Sequence, residues 1–417
     1  MFEAKLFFYS LLTMVFLYTI LKKRYFDIFT IAVICSVYYS SPIFFGEIFD
    51  PTVNAFVPIS VGIYIIYGLL FLFLFLFMVL FDFKNIKQIN NNLNSTLYNS
   101  YFYILYILIL SVFIGMLVKN PTFLFDTGLY KADLAQFGFI SALFVWGSLI
   151  LVSLSLFNKN KKQLYLAMFL VVITLFIGSR SYFATAILMV FVMMINTKGR
   201  QKLIFQTKYI LFGMITFTFL FVFKLFYAYL RIFDFKAIYN VLSDNTQYLY
   251  RVFQGGEANL IMVNLQKSIE GYIGFQDNYF QMLFLRLIPF LSREIGNVFD
   301  IHVETYINVL ATNYYSQISY GMGSSFWGEM YYIGGFITVS LSIILYVIIL
   351  YIGNYYIILK NNVFVVFLFP ALVYIAFYIH RIEFAFAMYS FYICVAFYFL
   401  IKFVRLLLKQ QKRVICN

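Results

Sequence analysis

From Phe56 to Phe81 the chain carries no charged residue. About 20 consecutive apolar residues suffice for an α-helix to cross the hydrocarbon layer of a bilayer. Inside that layer only helices and closed barrels satisfy every backbone amide. Apolar runs of this kind recur along the whole chain. Bounded by charges or by Asn and Gly clusters, they predict eleven spans, near residues 4–21, 27–45, 56–82, 101–118, 138–157, 164–179, 182–196, 203–230, 325–353, 363–379 and 384–402. The composition agrees: 63% of residues are hydrophobic and 11% charged, against roughly 45–50% and 25% in an ordinary soluble domain. The expectation is an all-α polytopic membrane protein. It has eight spans in residues 1–230, a long loop in 231–324, three spans in 325–402 and a basic tail in 403–417. The first segment shows no small-residue cleavage site and reads as a retained helix.

Lysine and arginine set the orientation, because loops kept in the cytoplasm retain them. With residues 22–26 placed inside, alternation gathers Lys22, Lys23, Arg24, Lys84, Lys87, Lys159, Lys161, Lys162, Lys198, Arg200 and the tail cations on the inner side. Glu47, Asp50, Asp126, Asp133 and the acids from Asp234 to Glu304 fall outside, leaving Asp27 and Asp82 at inner ends. The 231–324 loop is then extracytoplasmic and the C-terminus cytoplasmic. Stretches such as "GYIGFQDNYFQMLFLRLIPFL" are too apolar for a tether, so short helices are expected there, lying at the interface or plugging a cavity between spans.

A few polar residues stand out against this background. Arg180, in the "FIGSRSYFATAI" turn between the sixth and seventh spans, is a cation on the side where the positive-inside trend disfavours one. It is either a snorkelling side chain or an anion clamp, since a guanidinium is permanently charged and presents a fork of donors to phosphate oxygens. Arg251, Arg286 and Arg293 in the loop are balanced by nearby acids including Glu257, which argues against a nucleic-acid surface. Glu329 opens the ninth span, either in a polar cavity or as a first-turn acid favoured by the helix dipole with Ser324 or Ser325 capping. In "YIHRIEF", His380 and Glu383 have the spacing of one helix face and suit a base and its partner, or a structural hydrogen bond. Cys35 and Cys394 lie in apolar runs and Cys416 in the tail, so neither a disulfide nor a metal site is expected, and no cofactor is implied.

The "GSRS" turn opening a span, "LRLIPFLSREIG" in the long loop and "YGMGSSFWGEMYYIGGF" leading into the next span together resemble the O-antigen or oligosaccharide repeat-unit polymerases (Wzy type). The resemblance implies a GT-C-like glycosyltransferase of the bacterial inner membrane. It would join lipid-linked repeat units, with undecaprenyl diphosphate carrying both donor and acceptor, on the outer face. Membrane lipid and a chain-length regulator protein are the implied partners. By position, Arg180 matches the "SR" turn, Arg293 the basic residue after the "IP" element, with Arg286 as its substitute, and Glu329 the acid of the span start. The substrate-binding set is Arg180, Arg251, Arg286, Arg293, Arg381 and Glu383; the candidate bases are His380, Glu329 and Glu257. Rival readings are a lipid-linked oligosaccharide flippase, which calls for internal span symmetry, the O-antigen ligase, which shares this architecture, and an outer-face acyltransferase. The sidedness is directly testable. Single cysteines introduced at Asp126 and Lys161 should react with a membrane-impermeant maleimide from opposite faces of sealed vesicles, and labelling from the same face would overturn the span count between them.

Overall fold

A computed structural model describes residues 1–22, 24, 26–83, 95–121, 138–176, 180–197, 236, 256–288, 292–300, 304–314, 323–359 and 362–415. In chain order it contains α1 (Phe2–Leu21), α2 (Ile28–Tyr39), a 3-10 turn (Ser41–Phe44), β1 (Glu47–Asp50), β2 (Ala55–Pro58), α3 (Val61–Phe83), α4 (Ser95–Lys119), α5 (Phe139–Phe157), α6 (Lys161–Phe176) and α7 (Arg180–Thr197). There follow α8 (Glu257–Glu270), α9 (Asp277–Arg286), α10 (Ser292–Val298), α11 (Tyr306–Tyr314), α12 (Phe326–Leu359), α13 (Val363–Tyr378), a 3-10 turn (Ile379–Arg381) and α14 (Phe384–Ile415). Among the described residues seven helices, α1, α3, α4, α5, α12, α13 and α14, are long and apolar enough to cross a membrane. Helices α2 and α7 are apolar but shorter. The predicted 203–230 span lies outside the described residues.

The expected boundaries change where backbone chemistry intervenes. Pro42 has no amide hydrogen to continue the α-helical ladder, and α2 stops at Tyr39, where the chain enters a 3-10 turn instead of running on to residue 45. Residues 56–58, read as the start of a span, belong to β2, which pairs antiparallel with 47–50 in a small hairpin that an all-α expectation missed. Helix α12 holds two rods: Gly335 sits at φ 64°, a left-handed conformation that glycine adopts without a Cβ clash. Helix α14 continues past residue 402 to Ile415.

Helix α13 is the axis of the bundle and packs against α2, α5, α7, α12 and α14. Its buried face includes Val366, Phe367, Phe369, Val373 and Ala376. Helix α3 lies between α1 and α12, while α4 and α6 flank α5. Aromatic edges fill the gaps: Trp146 packs T-shaped against Tyr182 at 5.8 Å and Tyr374 at 5.2 Å. Such pairs add about 0.5–1.5 kcal/mol beyond the area they bury.

The bundle has two polar ends. At one, Arg24 is 2% exposed and grips Asp27 with both Nη atoms, at 2.7 and 2.9 Å, while its Nε reaches Asp82 at 2.9 Å. The Asp27 carboxylate also accepts from the Thr30 amide (2.9 Å), capping α2, and from Asn354 Nδ2 (2.7 Å) on α12. Tyr18 donates to Asp82 at 2.8 Å. The two acids expected at inner span ends are therefore the anchors of a buried network tying α1, α2, α3 and α12 together.

At the other end the described loop helices dock. Helix α8 is buried along Ala258, Ile261, Met262, Val263 and Leu265, so it plugs the bundle rather than lying at an interface. Its amide side chains act as backbone partners. Asn259 Oδ1 accepts from the Phe49 amide (3.0 Å) and its Nδ2 donates to the Phe49 carbonyl (2.7 Å), completing the edge of β1. Gln266 does the same for Pro58 and Ser60 at the head of α3. Lys267 pairs with Asp50 at 2.6 Å. Burial alone would raise the Asp50 pKa, but Lys267 and the Thr52 hydroxyl and amide more than offset that and hold it below the usual carboxylate range. Helix α9 instead exposes Phe280 and Phe284, so the two expected arrangements are divided between two helices.

Breaking a buried ion pair by removing one partner costs about 3–5 kcal/mol, because the other charge stays buried. Arg24→Ala should lower the thermal unfolding midpoint of the detergent-solubilised protein sharply. Simultaneous apolar replacement of Arg24, Asp27 and Asp82 should recover most of the loss. The buried thiols of Cys35 and Cys394 report this through a thiol-reactive dye in a Cys416→Ser background. An Arg24→Ala midpoint equal to wild type would remove the network from the list of anchors.

Candidate functional site

Five residues between α13 and α14 bring the loop end together. Helix α13 ends at Tyr378, residues 379–381 make one 3-10 turn, and Ile382 is extended at φ −109°, ψ 159°. The helical spacing expected of His380 and Glu383 therefore does not hold. The backbone straightens between them, and the two side chains point to different partners.

His380 turns into the bundle and is fully buried. Trp327 Nε1 donates to its Nδ1 at 2.9 Å. An indole nitrogen is a donor only, so Nδ1 is the acceptor and the ring hydrogen sits on Nε2. It is donated to Ser36 Oγ at 3.1 Å, and Ser36 passes its own hydrogen to the Ala32 carbonyl at 2.7 Å. The ring is stacked between Tyr39 at 5.0 Å and Tyr67 at 5.7 Å. With both nitrogens engaged, His380 locks α2, α3 and α12 to the turn.

Arg381, the next residue, points the other way. Its Nη1 pairs with Glu257 Oε1, and the same oxygen accepts from Tyr39 Oη at 2.9 Å. Its guanidinium also lies 5.7 Å from the centre of the Tyr378 ring. Glu257 is the first residue of α8, where a carboxylate is favoured by the helix dipole. Arg180 is the first residue of α7 rather than a turn residue, and Glu257, Arg381, Tyr378 and Tyr38 are its electrostatic neighbours. Arg180 at the start of α7 thus lies within electrostatic range of the Arg381–Glu257 pair at the head of α8. The pair stays partly open, with Arg381 23% and Glu257 18% exposed.

Glu383 builds a second cluster. Its Oε2 accepts from Arg286 Nη2 at 2.5 Å and its Oε1 from the Ile307 amide at 3.1 Å, joining α9 and α11 to the turn. Glu329 lies alongside, fully buried. Tyr279 donates to its Oε1 at 2.9 Å, and its Oε2 accepts from the Phe384 amide at 2.6 Å, which makes Glu329 the cap of α14. Burial, followed by Glu329 and Glu383, pushes the Tyr279 hydroxyl well above its usual pKa and keeps it a donor. Ser325 Oγ accepts from Gly328 N at 3.2 Å at the head of α12. Arg286 Nη1 is buried with no hydrogen-bond partner among the described residues.

The structure therefore brings together Arg180, Arg381 and Glu257 in one group and Arg286, Glu383 and Glu329 in a neighbouring one, linked through the 379–383 turn. Arg251 lies outside the described residues, and of Arg293 only the backbone, in α10, is described. Tyr39, Tyr279 and Trp327 escaped the sequence reading, because among so many aromatics none has a local signature. The chain matches no family model, no curated protein and no solved structure.

Arg286 and Glu383 are 11% and 7% exposed, so removing one should cost about 3 kcal/mol or more. Arg286→Met should speed hydrogen exchange in α9 and α11, and Glu383→Gln in the same chain should restore much of the protection. Unchanged exchange in Arg286→Met would show that this pair does not hold the loop.

Proposed function

We propose that this chain is a membrane-embedded glycan polymerase. On this reading it joins oligosaccharide repeat units borne on undecaprenyl diphosphate into a surface polysaccharide, at the non-cytoplasmic face of a bacterial inner membrane. The observation that carries the reading is the Arg381–Glu257 pair, with Arg180 in its electrostatic range, at the end where the loop docks. Charged groups at membrane depth are expensive and mark functional cavities. Two of them placed together, partly open and walled by tyrosines, suit an anionic ligand that also carries hydroxyl groups.

The chemistry is polymer transfer. The hydroxyl oxygen of the acceptor sugar bonds to the anomeric carbon of the donor as the bond from that carbon to the phosphate oxygen breaks. The electron pair leaves on the diphosphate. Guanidinium groups meet the growing charge with paired hydrogen bonds, and in a water-poor site such donors are aimed before the reaction starts. The hydroxyl proton needs an acceptor within hydrogen-bond reach. His380 has both nitrogens engaged and Glu329 is fully buried, which leaves Glu257, partly open beside both arginines, as the base this arrangement favours.

Removing one preorganised donor of this kind typically costs about 10²–10³ in kcat. Deleting the gene from its host should remove polysaccharide longer than one repeat unit from a gel of surface glycans while single capped units persist. Arg180→Ala and Arg381→Ala should each fail to restore the ladder. Loss of every repeat unit on deletion would instead indicate a flippase or ligase, and full-length polymer from Arg180→Ala would remove the arginine from the reaction.

A further inference from the structure

We propose that the turn joining α5 to α6 binds the phosphate headgroup of an anionic phospholipid. The turn lies at the Arg24 end of the bundle, away from the Arg381–Glu257 pair, and its role is independent of the polymerase reading.

Backbone hydrogen bonds fix the turn on both sides. Helix α5 closes with bonds from the amides of Asn158, Lys159 and Asn160 to the carbonyls of Leu154, Leu156 and Ser155, at 2.9, 3.1 and 3.2 Å. Asn160 Oδ1 then accepts from Lys162 N at 3.1 Å and Gln163 N at 3.3 Å, which caps α6. Between them Lys159 adopts φ 55°, a left-handed conformation that a helix end usually gives to Gly or Asn. Lys159, Lys161 and Lys162 are thereby held close together. All three are exposed, and with Asn99, Asn158 and Asn160 they line a cavity of about 450 Å³.

The cavity offers neutral donors as well as charge. Asn158 Nδ2 donates to Asn99 Oδ1 at 2.7 Å and to Gln163 Oε1 at 2.8 Å, and Gln163 Nε2 donates to Asn99 Oδ1 at 2.8 Å. Both lone pairs of Asn99 Oδ1 are used in these bonds, so the Asn99 amide nitrogen keeps two hydrogens with no acceptor among the described residues. None of the three lysines has an acidic partner among the described residues. Helices α4, α5, α6 and α14 contain no Asp or Glu at all. The positive end of the α6 dipole adds to the same field. A cation cluster with spare donors and no acid beside it selects an occupant that brings acceptor oxygens and negative charge.

The rest of α6 decides between a soluble anion and a lipid. Tyr165, Leu166 and Phe169 are all exposed. They follow Lys162 by three, four and seven residues, which puts them on its face of the helix. The lysines therefore stand at the head of an apolar strip that is open to acyl chains. An amphiphile matches both parts, with its phosphate on the lysines and Asn99 and its chains along Tyr165, Leu166 and Phe169. The positive-inside reading assigns this end to the cytoplasmic leaflet, whose anionic lipids attract basic groups next to membrane-spanning segments.

The test is binding of phosphatidylglycerol with a fluorescent acyl chain to the full chain in mixed micelles, with phosphatidylcholine bearing the same chain as the control. Wild type should prefer phosphatidylglycerol by about fivefold or more, since each lysine near an anionic headgroup is worth about a factor of five. Combining Lys159→Gln, Lys161→Gln and Lys162→Gln should abolish the preference. Lys402 is exposed at the same end but outside the cavity, and Lys402→Gln should leave binding within about twofold of wild type, because screening weakens charges beyond the cavity. Raising salt from about 0.1 to 1 M, which shortens the screening length from about 10 to 3 Å, should erase the preference of wild type; this arm needs no variant and decides the matter where the triple variant folds poorly. Inorganic phosphate, which has no chains, should not displace the lipid. Equal binding of the two lipids by wild type, or an unchanged preference in the triple variant or at high salt, overturns the proposal. So does a loss in Lys402→Gln as large as in the triple variant, which would mean diffuse surface charge, or displacement by phosphate, which would make the occupant a soluble anion.

Discussion

A guanidinium withdrawn from water needs a carboxylate, and the architecture of this protein follows from where that need is met. Arg24 draws Asp27 and Asp82 to one end of the bundle, Arg286 draws Glu383, and Arg381 draws Glu257. Except for Arg24 and Asp27, which are three residues apart, each pair joins elements distant in the chain. Apolar helices in a bilayer have little hydrophobic reason to prefer one neighbour to another, because lipid tails are as apolar as leucine. Charge pairing restores the specificity that burial cannot supply, and the packed aromatics then fill the space around a frame already set by ions.

The two ends use that principle differently. At the Arg24 end the central pair of Arg24 and Asp27 is fully buried, and α1, α2, α3 and α12 are held as one block. At the loop end the Arg381–Glu257 pair reaches towards the surface, and α8 is fastened by amide side chains that imitate a strand neighbour for Phe49, Pro58 and Ser60. A rigid base and a more open crown are what a site needs if a bulky amphiphilic ligand is to enter without loosening the bundle. The proposed polymerase site lies in the crown.

The apolar runs announced the helices well: ten of the predicted segments coincide with described helices, within a few residues at most ends. Length and hydrophobicity are local properties, so a sequence displays them. The partners were less legible. Arg24 and Asp82 stand 58 residues apart and Arg286 and Glu383 97, and no local pattern announces a pair over such a distance. The hairpin was hidden because its strands are short and begin inside an apolar run. The spacing of His380 and Glu383 misled for a different reason, since a separation of three residues places side chains together only where the backbone is helical, and Ile382 is not. Arg180, Glu257 and Arg381 were each visible as odd charges in an apolar chain; their proximity was not.

The 379–383 turn sends His380 into the core, Arg381 to the head of α8 and Glu383 to the end of α9 within a single reversal of the chain. Those three directions are fixed by the count of residues between α13 and α14. Side chains in this segment can drift in size over evolutionary time, but its length cannot: one residue gained or lost would rotate at least one of the three away from its mate. Homologues of this chain should therefore vary freely in the connections around it while keeping this interval constant, a ruler against which the two halves of the molecule are measured.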